Sequence, residues 1–127
     1  NDVLEKDFDV IYSDDSISQL LNVIRQSSRN IIVCKDHQEK YQGFIIFDNV
    51  RKVILDTELQ KTLTVKELIS KTKFRIDNLD SVDDMILKFE KSELWYIPAF
   101  EDDNFIGFVS KTRLLSAYRD KLKQTIS

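Results

Sequence analysis

The sequence is poor in the residues that build several common kinds of functional site. Its 127 residues include one cysteine, one histidine, one proline and two glycines. A single cysteine forms no internal disulfide, so the disulfide framework of a small secreted domain is excluded and a reducing compartment fits best. Two glycines are too few for a glycine-rich phosphate loop, and the nucleophile motif G-x-S-x-G is missing. The sequence therefore lacks the motifs of several large enzyme classes, and we expect a module that is not an enzyme.

Two further absences concern membranes and nucleic acids. No apolar run approaches the ~20 residues that a bilayer-spanning helix needs, and the polar N-terminus does not resemble a signal peptide. The net charge is −3 with both signs interspersed, so there is no basic stripe for nucleic acid and no such partner is expected. With 42% hydrophobic residues the chain has enough material for a core. Because it lacks an initiator methionine, we expect it to be a piece of a longer protein rather than a processed chain, and we expect the piece itself to be soluble.

The chain contains an internal repeat. Gly43 and Gly107 each end a polar loop and open an apolar strand. Upstream, residues 14–21 align with residues 79–86, and each segment carries a serine suited to cap a helix. The same order of turn, cap, helix, strand, loop, glycine and strand occurs twice. We therefore predict two β-α-β-β-α repeats, spanning 1–63 with an N-terminal lead-in and 64–127 with a crossover helix and a C-terminal helix.

Hydrophobic periodicity and turn signals predict the elements of each repeat. Repeat one has predicted strands at 8–12, 30–34 and 41–47. A first helix is predicted from 17 to about 27, and a second helix begins after strand 41–47 and continues to about 59. Asp48 or Asn49 is the expected cap of that second helix, with Val50, Val53, Ile54 and Leu55 facing inward. Repeat two has a predicted crossover helix at 65–70, strands at 74–76, 94–100 and 105–110, and helices at 82–90 and 111–123. The last helix is expected to carry one apolar face, formed by Leu114, Leu115, Tyr118 and Leu122.

Strands that alternate with short helices predict an α/β fold with a small mixed sheet in each repeat. One repeat alone is near the lower size limit for burying a core. We therefore expect the two repeats to pack together in pseudo-twofold symmetry.

Repeat two resembles a known family. The segment 95–100 is followed by an acidic turn and by Gly107-Phe108-Val109-Ser110, and Pro98 stands where that family usually has proline. Over about 8–122 the chain resembles a CBS domain pair (a Bateman module), named after cystathionine β-synthase. The segment 107–119 is also similar to the C-terminal tail of bacterial CLC-type chloride channel proteins.

The resemblance implies a regulatory role. We expect a CBS domain pair of a membrane ion transport protein, attached to a transmembrane domain of the same chain and lying at the cytoplasmic face of the cell membrane. Such pairs imply a homodimer and a regulatory ligand such as ATP, ADP or AMP, or else a gating and dimerisation platform. The alternative is a regulatory or scaffold module of a soluble enzyme, or a stand-alone protein, without a nucleotide ligand.

The family pattern implies a nucleotide site that this sequence matches in part. A Ser or Thr before the last helix of each repeat binds phosphate, and an Asp three residues later binds the ribose. Repeat two has Ser110 and Arg113 at these positions, whereas repeat one has Ile46 and Asn49. Both ribose acids are therefore missing, and the cleft around Ser110 is favoured. The candidate nucleotide-binding residues are Lys73, Arg75, Tyr96, Ile97, Pro98, Ser110, Lys111, Arg113 and Asn49.

Other reactive residues are read as ordinary structure. His37 lies in a polar turn without partners at ligand spacing, so we expect a solvated loop histidine. Cys34 lies in an apolar strand and is expected to be a buried, inert thiol. Trp95 and Tyr96 point to opposite faces of one strand, and packing is the expected role of both. No metal site is predicted, because the acidic clusters lie at helix starts or in a turn.

Overall fold

The computed structural model describes residues 3–126, which form seven strands and six helices. The strands are β1 (Leu4–Glu5), β2 (Asp9–Tyr12), β3 (Ile31–Lys35), β4 (Tyr41–Ile46), β5 (Ile76–Asp77), β6 (Tyr96–Glu101) and β7 (Asn104–Ser110). The helices are α1 (Ile17–Gln26), α2 (Phe47–Ile54), α3 (Thr57–Thr62), α4 (Val65–Leu68), α5 (Val82–Ser92) and α6 (Lys111–Ile126). The α/β class with a small mixed sheet in each half is confirmed.

The chain divides into two compact units. The first unit is Phe8–Thr72, and the second consists of the residues up to Asp7 together with those from Lys73 onward. These bounds differ from the repeat boundary at 63 and 64, which stays a prediction about the duplication. The reason lies in two buried side chains: Val65 of α4 belongs to the core of the first unit, and Val3 belongs to that of the second.

The first unit is built on a three-stranded sheet in the order β2-β3-β4. Strand β2 is parallel to β3, and β3 is antiparallel to β4. Helix α1 packs on the sheet through its buried residues Ile17, Leu20 and Leu21, which follow the i, i+3, i+4 spacing of one helix face. The continuous apolar strand β3 lies in the middle of the sheet, and its first four residues are buried.

The second unit has a four-stranded sheet in the order β1-β7-β6-β5. Strand β5 is parallel to β6, β6 is antiparallel to β7, and β1 is antiparallel to β7. Strand β1 was not predicted, because two residues are too short for a periodic signal. The core includes Met85 and Phe89 of α5 and Leu114 of α6.

The two glycines occupy equivalent positions where another segment of backbone crosses a strand. A Cβ atom on Gly43 would lie 2.7 Å from the carbonyl oxygen of Ser70, and one on Gly107 would lie 2.5 Å from that of Glu5. Their φ angles are +148° and +149°, values that residues with a side chain rarely adopt. Close approach and backbone conformation therefore both require glycine at these positions.

The predicted serine caps of α1 and α5 are confirmed. The Ser16 hydroxyl oxygen accepts from the Gln19 amide at 3.2 Å, and the Gln19 side chain accepts from the Ser16 amide at 2.8 Å. Ser81 and Asp84 form the same reciprocal pair at 3.1 and 3.0 Å. Each pair satisfies amides that the first helical turn leaves without partners.

The prediction for the segment after β4 was wrong in two respects. Asp48 and Asn49 do not cap α2, because β4 runs directly into the helix and Ile46 is the residue that precedes it. The helix also ends at Ile54, and Asp56 caps a separate helix by accepting from the amides of Glu58 and Leu59.

Burial of the predicted inward positions is mixed. Val50 and Val53 are buried as expected, but Leu55 follows the end of α2 and is 81% exposed. On α6, Leu114 is buried whereas Leu115 and Leu122 are each 43% exposed. The apolar face of α6 is therefore only partly covered by the second unit.

Candidate functional site

The junction between β7 and α6 holds the central candidate residues. Ser110 ends β7, pairs with Tyr96 of β6 and is 8% exposed. Its hydroxyl oxygen accepts from the Arg113 amide at 3.2 Å, and the Lys111 amide donates to the carbonyl oxygen of Trp95 at 2.8 Å. Ser110 therefore caps α6, and its hydroxyl hydrogen remains a donor that can serve a ligand.

Two cations and an indole surround this helix start. Arg113 is exposed, and its guanidinium forms no ion pair or hydrogen bond with residues 3–126. The Lys111 ammonium lies 5.0 Å from the centroid of the Trp95 ring, which is a cation–π distance. Trp95 is 62% exposed. The expectation that it is a packing residue was therefore wrong. The junction thus presents positive charge beside an accessible aromatic face.

The first residues of β6 offer backbone rather than side chains. Ile97 and Pro98 are buried in the second unit, and Tyr96 is half-buried. A ligand at this strand end would meet the Tyr96 ring and main-chain groups. The structure thus brings Tyr96, Ser110, Lys111 and Arg113 together.

Arg75 is held at the other end of β6. Its guanidinium donates to the carbonyl oxygen of Asp102 at 2.6 Å and lies 4.0 Å from the Phe100 ring centroid. Phe100 follows Tyr96 by four strand residues, roughly 13 Å at the usual rise. Arg75 is therefore engaged at the β6–β7 turn. Lys73 is exposed, with its ammonium 5.9 Å from the Phe74 ring centroid.

The corresponding junction in the first unit, between β4 and α2, has the same backbone pattern. The Phe47 amide donates to the carbonyl oxygen of Asn30 at 2.9 Å, as Lys111 does to Trp95. Ile46 precedes the helix as Ser110 does, but it supplies no side-chain cap. Asn49 is the exposed third residue of α2 and matches Arg113 in α6. The two junctions thus share one backbone hydrogen bond but not the side-chain cap.

The first unit has a cleft that the sequence did not indicate. It measures about 640 Å³ and lies between the loop that leads into α1 and the segment joining α3 to α4. Its lining residues are Ser13, Asp14, Asp15, Ser16, Ile17, Ser18, Gln19, Gln60, Lys61, Leu63, Thr64 and Lys66. None of them was a candidate, because the sequence marks this region only by the helix caps at Ser16 and Thr64.

The expectation for Cys34 is confirmed. The side chain is fully buried in β3, and burial raises the pKa of the thiol to about 11. The reactive thiolate is therefore scarce at neutral pH.

In the described part of the chain, there is no group of three or more Asp, Glu, His or Cys side chains that could hold a metal ion.

Comparison with solved structures indicates a known fold. Over 94% of its length the chain matches OpuCA from Staphylococcus aureus, with a TM-score of 0.74, 12% identity and 97% of that chain covered. A CBS domain pair/ACT domain protein from Thermotoga maritima matches with a TM-score of 0.68 and 21% identity, covering 94% of this chain and 95% of that one. The chain has the fold of a CBS domain pair.

A third similar structure carries ligands. It is the CBS domain pair of protein MJ0100 in complex with 5'-methylthioadenosine and S-adenosyl-L-methionine, with a TM-score of 0.74 and 20% identity. The match covers 94% of each chain.

The sequence itself matches no protein-family model and no curated protein. Among residues 3–126, no helix is both long and apolar enough to span a bilayer.

Proposed function

We propose that this chain is a regulatory CBS domain pair that senses an adenine nucleotide at the β7–α6 junction. The observation that carries the proposal is the arrangement of Ser110, Lys111 and Arg113 at the start of α6. The fold adds support, because the CBS domain pair of MJ0100 is known in complex with two adenosine-containing molecules.

Each group at the junction has a chemical task in this proposal. A phosphate would accept from the Ser110 hydroxyl, and Arg113 and Lys111 would supply charge at the positive end of the helix dipole. Main-chain groups at the start of β6 would bind the adenine beside Tyr96 and Trp95. Because Arg113 replaces a ribose-binding acid, we expect AMP, ADP or ATP to bind better than an uncharged adenosine.

The proposed parent is a membrane ion transport protein, specifically a chloride channel or transporter. This rests on the similarity of residues 107–119 to the tail of CLC-type proteins. The pair would lie at the cytoplasmic face of the membrane and act on a transmembrane domain of the same chain. The gene should then encode several hydrophobic spans of about 20 residues upstream. A gene without such spans would contradict this part of the proposal.

We also propose that the pair forms a homodimer through α5 and α6. Leu87 on α5 is 53% exposed, and Leu115 and Leu122 on α6 are each 43% exposed. Burying these side chains against a second copy would remove apolar surface from water. Sedimentation at high protein concentration should give the mass of a dimer, and a monomer would contradict the proposal.

A module without a nucleotide ligand is the second candidate. It is favoured by the first unit, where Ile46 and Asn49 stand in place of a phosphate donor and a ribose acid. Such a module would act as a gating platform, or as a scaffold in a soluble enzyme or a stand-alone protein.

Calorimetry separates the two candidates. We expect AMP, ADP or ATP to release or absorb heat with the wild-type chain, and adenosine to bind more weakly. Arg113→Ala should weaken nucleotide binding and remove the preference over adenosine. Arg119→Ala is the matched control, because it removes the same charge from an exposed position on α6. Absence of heat at millimolar nucleotide would favour the scaffold.

A further inference from the structure

The only histidine of the sequence has partners that its position in a polar turn does not indicate. His37 lies in the β3–β4 turn, with its side chain 70% exposed as expected. Its Nε2 atom lies 2.6 Å from Oδ2 of Asp14, which belongs to the loop between β2 and α1. Its ring stacks on that of Tyr12, with centroids 5.6 Å apart and planes 7° from parallel. His37 therefore connects two loops that are 23 residues apart in the chain.

The turn is also attached through Tyr12. The Tyr12 hydroxyl donates to Oε1 of Glu39 at 2.7 Å, and the Ser13 amide donates to the carbonyl oxygen of Lys35 at 3.0 Å. Glu39 has a φ of +64°, a backbone conformation that residues other than glycine adopt at a cost in free energy. The contacts of Tyr12 and His37 thus stabilise a turn that contains a strained residue.

The charged groups around His37 are mainly acidic. Asp14 and Asp15 lie in the β2–α1 loop, Asp36 precedes the histidine, and Lys35 is 3.7 Å from Glu39. The hydrogen bond to Asp14 and the nearby carboxylates raise the pKa of His37. The same hydrogen bond lowers the pKa of Asp14. Both directions favour an imidazolium paired with a carboxylate.

We propose that His37 and Asp14 form a pH-dependent clasp that fastens the β3–β4 turn to the β2–α1 loop. The clasp is complete while the imidazole is protonated and the carboxylate is ionised. Its stabilisation is fully present below the ordinary His pKa of about 6.5 and is lost as pH rises through the raised pKa of the folded chain. At the acidic end it is lost as pH falls through the lowered pKa of Asp14.

Release of the clasp also affects the cleft of the first unit. Asp14 lines that cleft as well as binding His37. When His37 loses its proton, the Asp14 carboxylate at the rim is no longer paired with a positive charge. Rising pH therefore loosens the turn and makes the cleft more negative at the same time.

Nuclear magnetic resonance of the chain tests the clasp through two readouts. The first is the titration of the His37 imidazole nitrogens in the wild-type chain and in Asp14→Asn. We expect a pKa above 6.5 in the wild type and a lower pKa in Asp14→Asn. Asp48→Asn is the matched control, because it removes an exposed carboxylate of the same unit that pairs with Arg51 rather than with His37, and it should leave the titration unchanged.

The second readout is the position of the turn itself. The amide signals of residues 35–40 should shift with the same midpoint as His37 in the wild type. They should lose that transition in His37→Gln, which retains a hydrogen-bond donor but does not titrate. Three results would each overturn the proposal: an unshifted His37 pKa in the wild type, equal His37 pKa values in Asp14→Asn and Asp48→Asn, or turn amide signals that do not change at the His37 midpoint.

Discussion

Replacing Gly107 by alanine tests the close approach of β1 and β7. The added Cβ atom would lie 2.5 Å from the carbonyl oxygen of Glu5 and 3.2 Å from a side-chain carbon of Leu4. The first of these atoms belongs to the backbone, which cannot move aside without shifting the strand. We therefore expect β1 to separate from β7, with loss of the pairing that joins Leu4 to Val109 and Glu5 to Phe108.

The size of the effect follows from two contributions. A side chain at a φ of +149° costs about 1–3 kcal/mol, because this conformation is sparsely populated by residues other than glycine. Displacing β1 also exposes Val3, which is 4% exposed in the folded chain, and this costs about 2 kcal/mol. Together they give about 3–5 kcal/mol, a large fraction of the stability of a typical domain.

Urea unfolding followed by circular dichroism measures this loss. Asn104→Ala is the matched control, because it changes an exposed residue of the same strand and should stay within about 0.5 kcal/mol of wild type. Gly43→Ala should destabilise the first unit in a similar way, since its Cβ atom would meet the Ser70 carbonyl oxygen. A loss below about 1 kcal/mol for Gly107→Ala would refute the reasoning, since strain alone accounts for that much.

Two further predictions concern a cap and the buried thiol. Ser81→Ala should destabilise the chain by about 1 kcal/mol in urea unfolding, because the Asp84 amide loses its acceptor. Ser81→Asp should restore most of this stability. Equal stability of Ser81→Ala and wild type would contradict the cap. Cys34 should react with a thiol reagent slowly in the native chain and rapidly in urea, because it is buried with a pKa of about 11; rapid native labelling at pH 7 would contradict its burial.

Much of the fold was predictable because its determinants are local. The serine caps and the apolar run of β3 each act within a few neighbouring residues. The glycine spacing revealed the duplication, although the reason for each glycine lies in a distant segment. At Gly107 that segment is β1. A strand of two residues is too short to give a periodic signal in the sequence.

The features that were missed either leave little signal in the sequence or depend on contacts between distant residues. The break between α2 and α3 contains neither glycine nor proline, so only the cap formed by Asp56 marks it. Arg75 was grouped with Ser110 by charge, but the acidic turn and the Phe100 ring engage it at the far end of β6. The partners of His37 come from a loop 23 residues away, and no spacing rule connects them.

The candidate site shows the same division. The correspondence of Ile46 with Ser110, and of Asn49 with Arg113, was implied by the resemblance to CBS domains, and the two strand–helix junctions share one backbone hydrogen bond. The exposure of Trp95 beside Lys111 depends on how the second unit packs, so it was not predicted.

The central claim is that a phosphorylated adenine nucleotide binds at the β7–α6 junction. The amide spectrum of the wild-type chain during titration with AMP tests it most directly. We predict saturable shifts at Ser110, Lys111 and Arg113 and at the Trp95 indole, with weaker shifts from adenosine. Spectra unchanged at millimolar AMP, or shifts confined to other parts of the chain, would contradict the account.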